Sequence, residues 1–344
     1  MNYKVGLIVD ALRENVNNEE AKQDNAQKMV TANAIHQILK ARYETEMIVA
    51  DHNLIGNVKS AKIDIAFNLS TGTRGESRQS QIPAVLEMLG IPYLGSGVLG
   101  HSLALNKAMA KQIFSFHQIA TPRFQIINTG DERIDDTLIY PMIVKPACEG
   151  SGFGIHTNSV VHNAEELMTI VQSLLKTYQP PILIEEFIKG REFTVGIIGN
   201  GESKTVLPIM EIDFKDVPES TGRFNTFEVK HIFVNETKFH CPAVLNKSLE
   251  IEIADCASKA FDAIGCKDFA RVDIRERDNK AYVIEINSLP GLEPGYSDLP
   301  KMAEVSGVSY ETLIYKMLDT AMERIKKSQG AKLEERSKDG KSNQ

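Results

Sequence analysis

Two alternating runs in the last third of the chain, FARVDIR and AYVIEIN, repeat charged and amide side chains every second residue. Read as strands, the first puts Arg271, Asp273 and Arg275 on one face and Ala270, Val272 and Ile274 on the other. The second sets Val283, Glu285 and Asn287 against Tyr282, Ile284 and Ile286. They flank a turn at Arg277 to Lys280, so the pair reads as a hairpin. A loop with an odd number of residues, such as three, sets Asp273 against Glu285 and Arg271 against Asn287; a two-residue loop puts them on opposite faces. Carboxylates that face each other repel unless something positive lies between them. An Asp, a Glu and an Asn converging as oxygen ligands suit a hard cation such as magnesium, with phosphate oxygens and water in the remaining positions. The alternative is a sheet face on which these charges meet only water.

A second segment, PMIVKPACEGSGFGI, ends a strand at Lys145 and follows it with three glycines around Ser151. Glycines let backbone N–H groups approach a phosphate while a nearby ammonium supplies charge. No Gly-Lys-Ser/Thr follows and no GxGxxG opens a helix, so neither familiar nucleotide fingerprint applies; an ordinary glycine-rich hairpin is the plainer reading. In ILIEEFIKGREF, Glu185, Glu186, Phe187 and Ile188 precede Glu192. A strand running into a connector in this way can offer backbone groups to an adenine edge, apolar side chains to its face and a carboxylate to ribose hydroxyls. Lys107 and Lys230 carry no signal as single residues. Cys148 lies inside the glycine loop without a histidine partner evident from sequence, and reads as small filler.

The elements needed to position these groups follow from periodicity. The first hundred residues alternate strand-like runs (YKVGLIV, ETEMIVA, DIAFNLS) with helical ones (Asn25 to Arg42, Gln81 to Leu89), which predicts a parallel sheet with crossover helices. A helix from Asn106 to Phe116 opens a small mixed unit with strands around FQII and PMIVKP and a helix from Ala164 to Tyr178. Three further runs, ILIEEFI, EFTVGIIGN and TVLPIMEI, suggest one antiparallel sheet. Residues Asp213 to Lys230 read either as a loop over a site or as a surface excursion. Helices are expected at Ser248 to Ile264 and Tyr310 to Ile325. The boundaries expected are an N-terminal α/β substrate domain at 1–104, a central lobe at 105–182, a C-terminal lobe at 183–326 and a disordered tail at 327–344.

Bulk properties narrow the class. With 344 residues the chain exceeds one ordinary core, so several packed units are expected. A net charge of −7 with the two signs interspersed leaves no footprint for a nucleic acid backbone. No apolar run has the length of a membrane span, and the amino terminus reads as a first strand instead of a signal peptide, so a cytoplasmic location is expected. Cys148, Cys241, Cys256 and Cys266 have neither disulfide nor zinc-ligand spacing.

As an ordered set, Lys107, the Lys145–Ile155 loop, Glu185 to Glu192, FEVKHIFVNETKFHCPA, GCKDFARVDI and EINSLPG resemble the D-alanine–D-alanine ligase family of the ATP-grasp superfamily, over roughly Leu94 to Leu318. The resemblance implies α/β and α+β architecture, the ATP-grasp fold in three domains with an N-terminal parallel-sheet domain. It implies ATP contacted by Lys107, Lys145 and Lys230 at the phosphates, by the Glu185 to Ile188 stretch at the adenine and by Glu192 at the ribose. It also implies two magnesium ions, with manganese as a substitute, on Asp273, Glu285 and Asn287. Arg271 and the N–H of Gly291 look like an oxyanion site, and the loop around Ser151 would close over the γ-phosphate. The implied reaction makes an acyl phosphate from one small amino-acid-like substrate and joins it to the amine of another, in a chain that by resemblance pairs as a homodimer.

The amino-terminal domain departs from the family. Val9-Asp10-Ala11 and FNLSTGTRGESRQ stand where the family has a Gly-Gly turn and a His-Gly-rich segment, and Glu14 is the candidate to hold the first substrate's ammonium. His231 stands where D-alanyl ligases look to have a tyrosine; a hydroxy-acid acceptor or a silent loop position are both compatible with it. Tyr296 and Ser297 occupy the place near the second substrate's carboxylate. The competing readings are a ligase for another acceptor, giving a dipeptide, an ester or a ring, and a nucleotide-binding regulator without turnover. The presence of Arg271 and every proposed metal ligand disfavours the regulator.

Overall fold

The structure, a computed structural model, describes residues 3–11, 19–72, 74–150, 152–178, 180–218, 221–226, 228–229, 232–233 and 235–339. Its first unit comprises β1 (Lys4–Asp10), α1 (Glu19–Arg42), β2 (Glu44–Ala50), α2 (Leu54–Ala61), β3 (Ile65–Asn68), α3 (Gln81–Leu89) and α4 (Val98–Leu105). The three strands form an all-parallel sheet in the order β2-β1-β3, the crossover arrangement expected from the alternating pattern. Both faces of β1 are buried, which explains its unbroken apolar run.

The second unit holds α5 (Lys107–Phe116), β4 (Phe124–Ile127), β5 (Met142–Pro146), β6 (Val160–Val161), α6 (Ala164–Thr177) and β7 (Ile182–Glu186), with sheet order β4-β7-β5-β6. Asparagine caps start both helices: the Asn106 side chain accepts from the Met109 N–H at 3.1 Å, and Asn163 from the Glu166 N–H at 3.0 Å. Buried Leu167, Val171 and Leu174 make the stripe that seats α6 on its sheet.

The third unit contains β8 (Glu192–Ile198), β9 (Thr205–Val206), β10 (Met210–Asp213), β11 (Lys238–His240), α7 (Lys247–Ile264), β12 (Phe269–Arg277), β13 (Lys280–Asn287), α8 (Asp298–Val305) and α9 (Tyr310–Asp339). Its antiparallel sheet runs β11-β10-β8-β12-β13, with β9 also paired to β8. One expectation needs correction. The strand ILIEE pairs with β4 and β5, not with β8; strand-like runs carry no information about which sheet they join. The backbone of α9 runs on to Asp339 from a segment anchored by buried Leu313, Ile314, Met317, Leu318 and Ala321.

The β12–β13 hairpin resolves its register in a way that loop length alone does not. The turn has two residues, Asp278 and Asn279, both left-handed at φ 57° and 59°, with Arg277 paired to Lys280. From that turn, pairing proceeds to Ile274↔Val283 and then shifts, so that Asp273 opposes Glu285 and Arg271 opposes Asn287. Ile284 is the extra residue of a β-bulge, and it supplies the odd count that the loop lacks. The bulge also reverses the face assignment along half of β13: Ala281 and Val283 join Ile286 in the buried core, while Ile284 turns outward beside Glu285. Replacing Asp278 with valine, which resists a left-handed backbone, is expected to cost about 1–2 kcal/mol in urea unfolding, whereas glycine there is tolerated.

Candidate active site

An open cleft lies between the small sheet and the large one. One wall is the end of β5, the glycine loop with Glu149, Gly150, Gly152 and Phe153, and the connector from Glu185 to Ile188. The other is Glu192, Asp273, Ile274, Arg275, Ile284 and Glu285. Phe224 and Asn225 also line it, so the segment after β10 does lie over a site; Ile212, Phe214, Val217 and Val229 give it a small core of its own. Across the rim, His156 Nδ1 lies 2.9 Å from Glu228 Oε1.

The charges at the blind end are tightly answered. Lys145 Nζ lies 2.5 Å from Glu185 Oε1, and Lys111 Nζ lies 2.7 Å from Glu185 Oε2, all three groups being buried. Burial alone would push Glu185 up, yet the two ammoniums outweigh it and hold the carboxyl below its ordinary range. Burial brings Lys111 down to about 8 in spite of Glu185. Lys111 escaped sequence analysis, although it sits one turn beyond Lys107 on α5, where both share the helix's buried face. Lys107 donates to the Glu149 carbonyl and lies 3.2 Å from Glu285 Oε2, so it spans the cleft from the glycine loop to the hairpin.

Further out, Phe187 packs edge-on to Phe224 at 5.3 Å, with the Arg275 guanidinium 4.7 Å over its ring. Arg275 donates to the Gly190 carbonyl at 2.9 Å and lies 3.7 Å from Glu192. Ile188 is buried, and Glu186 lies on the cleft lining. The result is an apolar slot with a carboxylate at its side and lysines at its end.

On the hairpin, Asp273 is heavily engaged. It accepts two bonds from Arg271, at 2.9 and 2.8 Å, one from Thr194 Oγ1 at 2.7 Å and one from Asn287 Nδ2 at 3.0 Å. Burial pulls Arg271 down, but Asp273 outweighs it and holds the guanidinium above its ordinary value. Arg271 also lies 3.7 Å from Asp298, next in sequence to Ser297. Ser297 Oγ accepts from the Glu293 N–H at 3.0 Å and sits where a Cβ on Gly291 would approach it to 2.7 Å, so a side chain there would displace the hydroxyl. Tyr296 is exposed, with Lys301 Nζ 5.9 Å from its ring centre. Thus Arg271, Asn287, Gly291 and Ser297 gather beyond Asp273, next to the cleft but not on its lining. Glu14, Ser151, Lys230 and His231 lie outside the described residues. Among the described residues no three His, Cys, Asp or Glu side chains gather to hold an ion. The oxygen set is therefore two carboxylates and an amide, which fits a hard divalent cation that takes its remaining ligands from phosphate and water.

Residues 110–319 match the family model described as "D-ala D-ala ligase C-terminus". The chain is 35% identical over 289 residues to the D-alanine–D-alanine ligase of Syntrophotalea carbinolica, covering 84% of this chain and 89% of that one. It belongs to the D-alanine–D-alanine ligase family. Another relative, the uncharacterised protein y4sG of Sinorhizobium fredii, is 37% identical over 76% of this chain and 75% of its own. The crystal structure of the Bacillus anthracis D-alanine–D-alanine ligase complexed with ATP superposes with a TM-score of 0.74 at 25% identity, over 95% of this chain and 99% of that one. The fold is that of the ATP-grasp ligases, with a parallel three-stranded sheet at the amino terminus, and among the described residues no helix is long and apolar enough to cross a membrane.

Within this ligase-family site, sequence reasoning missed His101 and Ser288 as well as Lys111, Thr194 and Arg275. His101 Nδ1 lies 2.8 Å from Ser288 Oγ, one residue past Asn287, and both side chains are buried. A lone histidine on α4 carries no motif, and only the tertiary contact makes it visible. Burial holds its pKa down at about 4, against an ordinary 6.5. Between those values the unfolded chain takes up a proton that the folded one refuses, so stability falls as pH drops from 6.5 towards 4. Over that window the wild-type chain is expected to lose about 3 kcal/mol more than His101→Gln, measured by urea unfolding at a series of pH values.

Proposed function

We propose that this chain is an ATP-dependent ligase that joins two amino acids through an acyl phosphate. The observation that carries it is the convergence on one cleft of Lys107, Lys145, Glu185, Glu192, Asp273 and Glu285, which lie on six different elements, in a chain of this family. In this reading the apolar slot between Ile143, Phe187, Ile188 and Ile274 takes adenine. Glu185 and the connector backbone read its edge, and Glu192 holds the ribose. Lys107 and Lys145 face the phosphates, joined by Lys230, under the glycine loop around Ser151. Asp273, Glu285 and Asn287 would hold magnesium, two ions with manganese as a substitute, which on binding neutralises charge on the transferring phosphoryl group.

The carboxylate of the first amino acid attacks the γ-phosphorus and ADP leaves; the amine of the second attacks the acyl carbon, loses its proton and expels phosphate. Arg271 and the Gly291 N–H stabilise the oxyanion formed in that second step. Glu14 would receive the first substrate's ammonium, and His231, Tyr296 and Ser297 the second substrate. The family's name supports D-alanine as the substrate; a cytoplasmic location and a homodimer complete the proposal.

Phosphate release with magnesium, across D- and L-amino acids and hydroxy acids with products identified by mass spectrometry, tests the proposal. A dipeptide from D-alanine alone supports D-alanine as substrate; release with another pair keeps the chemistry and changes the substrate; release with none overturns it. Glu285→Gln is expected to lower kcat by about 100-fold or more, and chelation of the divalent ion to abolish turnover.

A further inference from the structure

The segment from Leu69 to Ser80, where the chain departs most from its family, reaches across to the glycine loop. Arg78 Nη1 donates to the Cys148 carbonyl at 3.0 Å, and Nη2 donates to Glu149 Oε2 at 3.1 Å. The guanidinium is largely enclosed, with its side chain 18% exposed, so the pair is screened less than a surface ion pair would be. A planar fork with two donors suits this double acceptor in a way a lysine does not. The backbone that presents Arg78 is itself fixed. Gly72, at φ 78°, packs so closely that a Cβ would lie 1.9 Å from the Arg78 carbonyl oxygen. The Gly72 N–H donates to Ser70 Oγ at 3.2 Å, and Ser70 in turn donates to Asp10 at the end of β1 at 2.5 Å. Hydrogen bonds at the end of the central strand β1, followed by close backbone packing of Gly72 on Arg78, therefore tie the N-terminal sheet to the loop over the cleft.

We infer that Arg78 is a positioning residue that locks the glycine loop to the N-terminal domain during catalysis. The inference rests on the ligase reading for its consequence. Glu149 is held at its carbonyl by Lys107 and at its carboxylate by Arg78. When Lys107 turns towards nucleotide phosphates it gives up the Glu149 carbonyl, and Arg78 keeps the loop in place. Closure then depends on the domain expected to carry the first substrate, and water stays away from the acyl phosphate.

The test uses the full chain and three variants, Arg78→Ala, Arg78→Lys and the neighbouring control Arg74→Ala. Amide hydrogen exchange of the peptide spanning 147–155 is expected to speed up in Arg78→Ala and not in Arg74→Ala, while peptides of the large sheet stay unchanged. In turnover, Arg78→Ala is expected to lower kcat by about 10- to 100-fold and to release several phosphates per ligated product, where the parent releases one. Arg78→Lys, which can keep the ion pair but not both acceptors, falls between. Unaltered exchange in Arg78→Ala, an unchanged ratio of phosphate to product, or equal effects in Arg74→Ala would overturn the inference. A parent chain that ligates nothing counts against the ligase reading, while the exchange measurement, which needs no substrate, still decides whether Arg78 holds the loop.

Discussion

Two carboxylates, Asp273 and Glu285, are fixed directly opposite each other on adjacent strands, and much of the site exists to make that tolerable. Asp273 is neutralised by Arg271 and further held by Thr194 and Asn287; Glu285 is answered by Lys107 from a different lobe. The arrangement gives each acid a cationic partner that a divalent ion could replace. It also makes the position of Lys107, and through it the glycine loop, dependent on the hairpin. A salt bridge that would be worth little on the surface becomes a way of setting the distance between two walls.

The same logic governs the blind end. A single buried Glu185 would be too costly to keep ionised, and a single lysine beside it would leave no charge to spare. Two lysines with one glutamate leave a net positive charge there, and the apolar slot beside them keeps water from weakening it. Lys111 thus belongs to the site although it is wholly buried.

Much of this was legible in the sequence, and what was not has identifiable causes. Period-two alternation located both strands of the hairpin, and the carboxylate pairing appeared as one of two registers. The deciding feature, the bulge at Ile284, leaves no mark in hydrophobic pattern, because an apolar residue can sit on either face. The helices after Asn106 and Asn163 were located by their apolar pattern, and the asparagine caps that start them emerged with the structure. The strand from Ile182 to Glu186 was recognised as a strand, but its partners depend on chain separation, which local pattern does not encode. Lys111, Arg78 and His101 share one reason for being missed: each works through a tertiary partner, and none has a spacing that announces it. The family resemblance supplied the order of the cleft residues, whereas composition and periodicity alone left the glycine loop and Glu185 with plainer readings.

The distribution of the cores sets how this molecule can open. One continuous core joins the N-terminal sheet to α8, α9 and the ends of β8 and β12, through residues such as Val5, Phe67, Met302 and Met317. The small sheet and α6 have a separate core of their own, from Ile127 to Ile184, and meet α5 through the minor cluster of Ala108, Ala147 and Leu183 and through the buried Lys111–Glu185 pair. The cleft therefore has one wall built into the body of the molecule and one wall that is a self-contained flap on a narrow apolar hinge. Swinging that flap exposes little apolar surface, whereas parting the other two domains would break a shared interior. Exchange of a spent nucleotide for a fresh one needs only the cheaper motion.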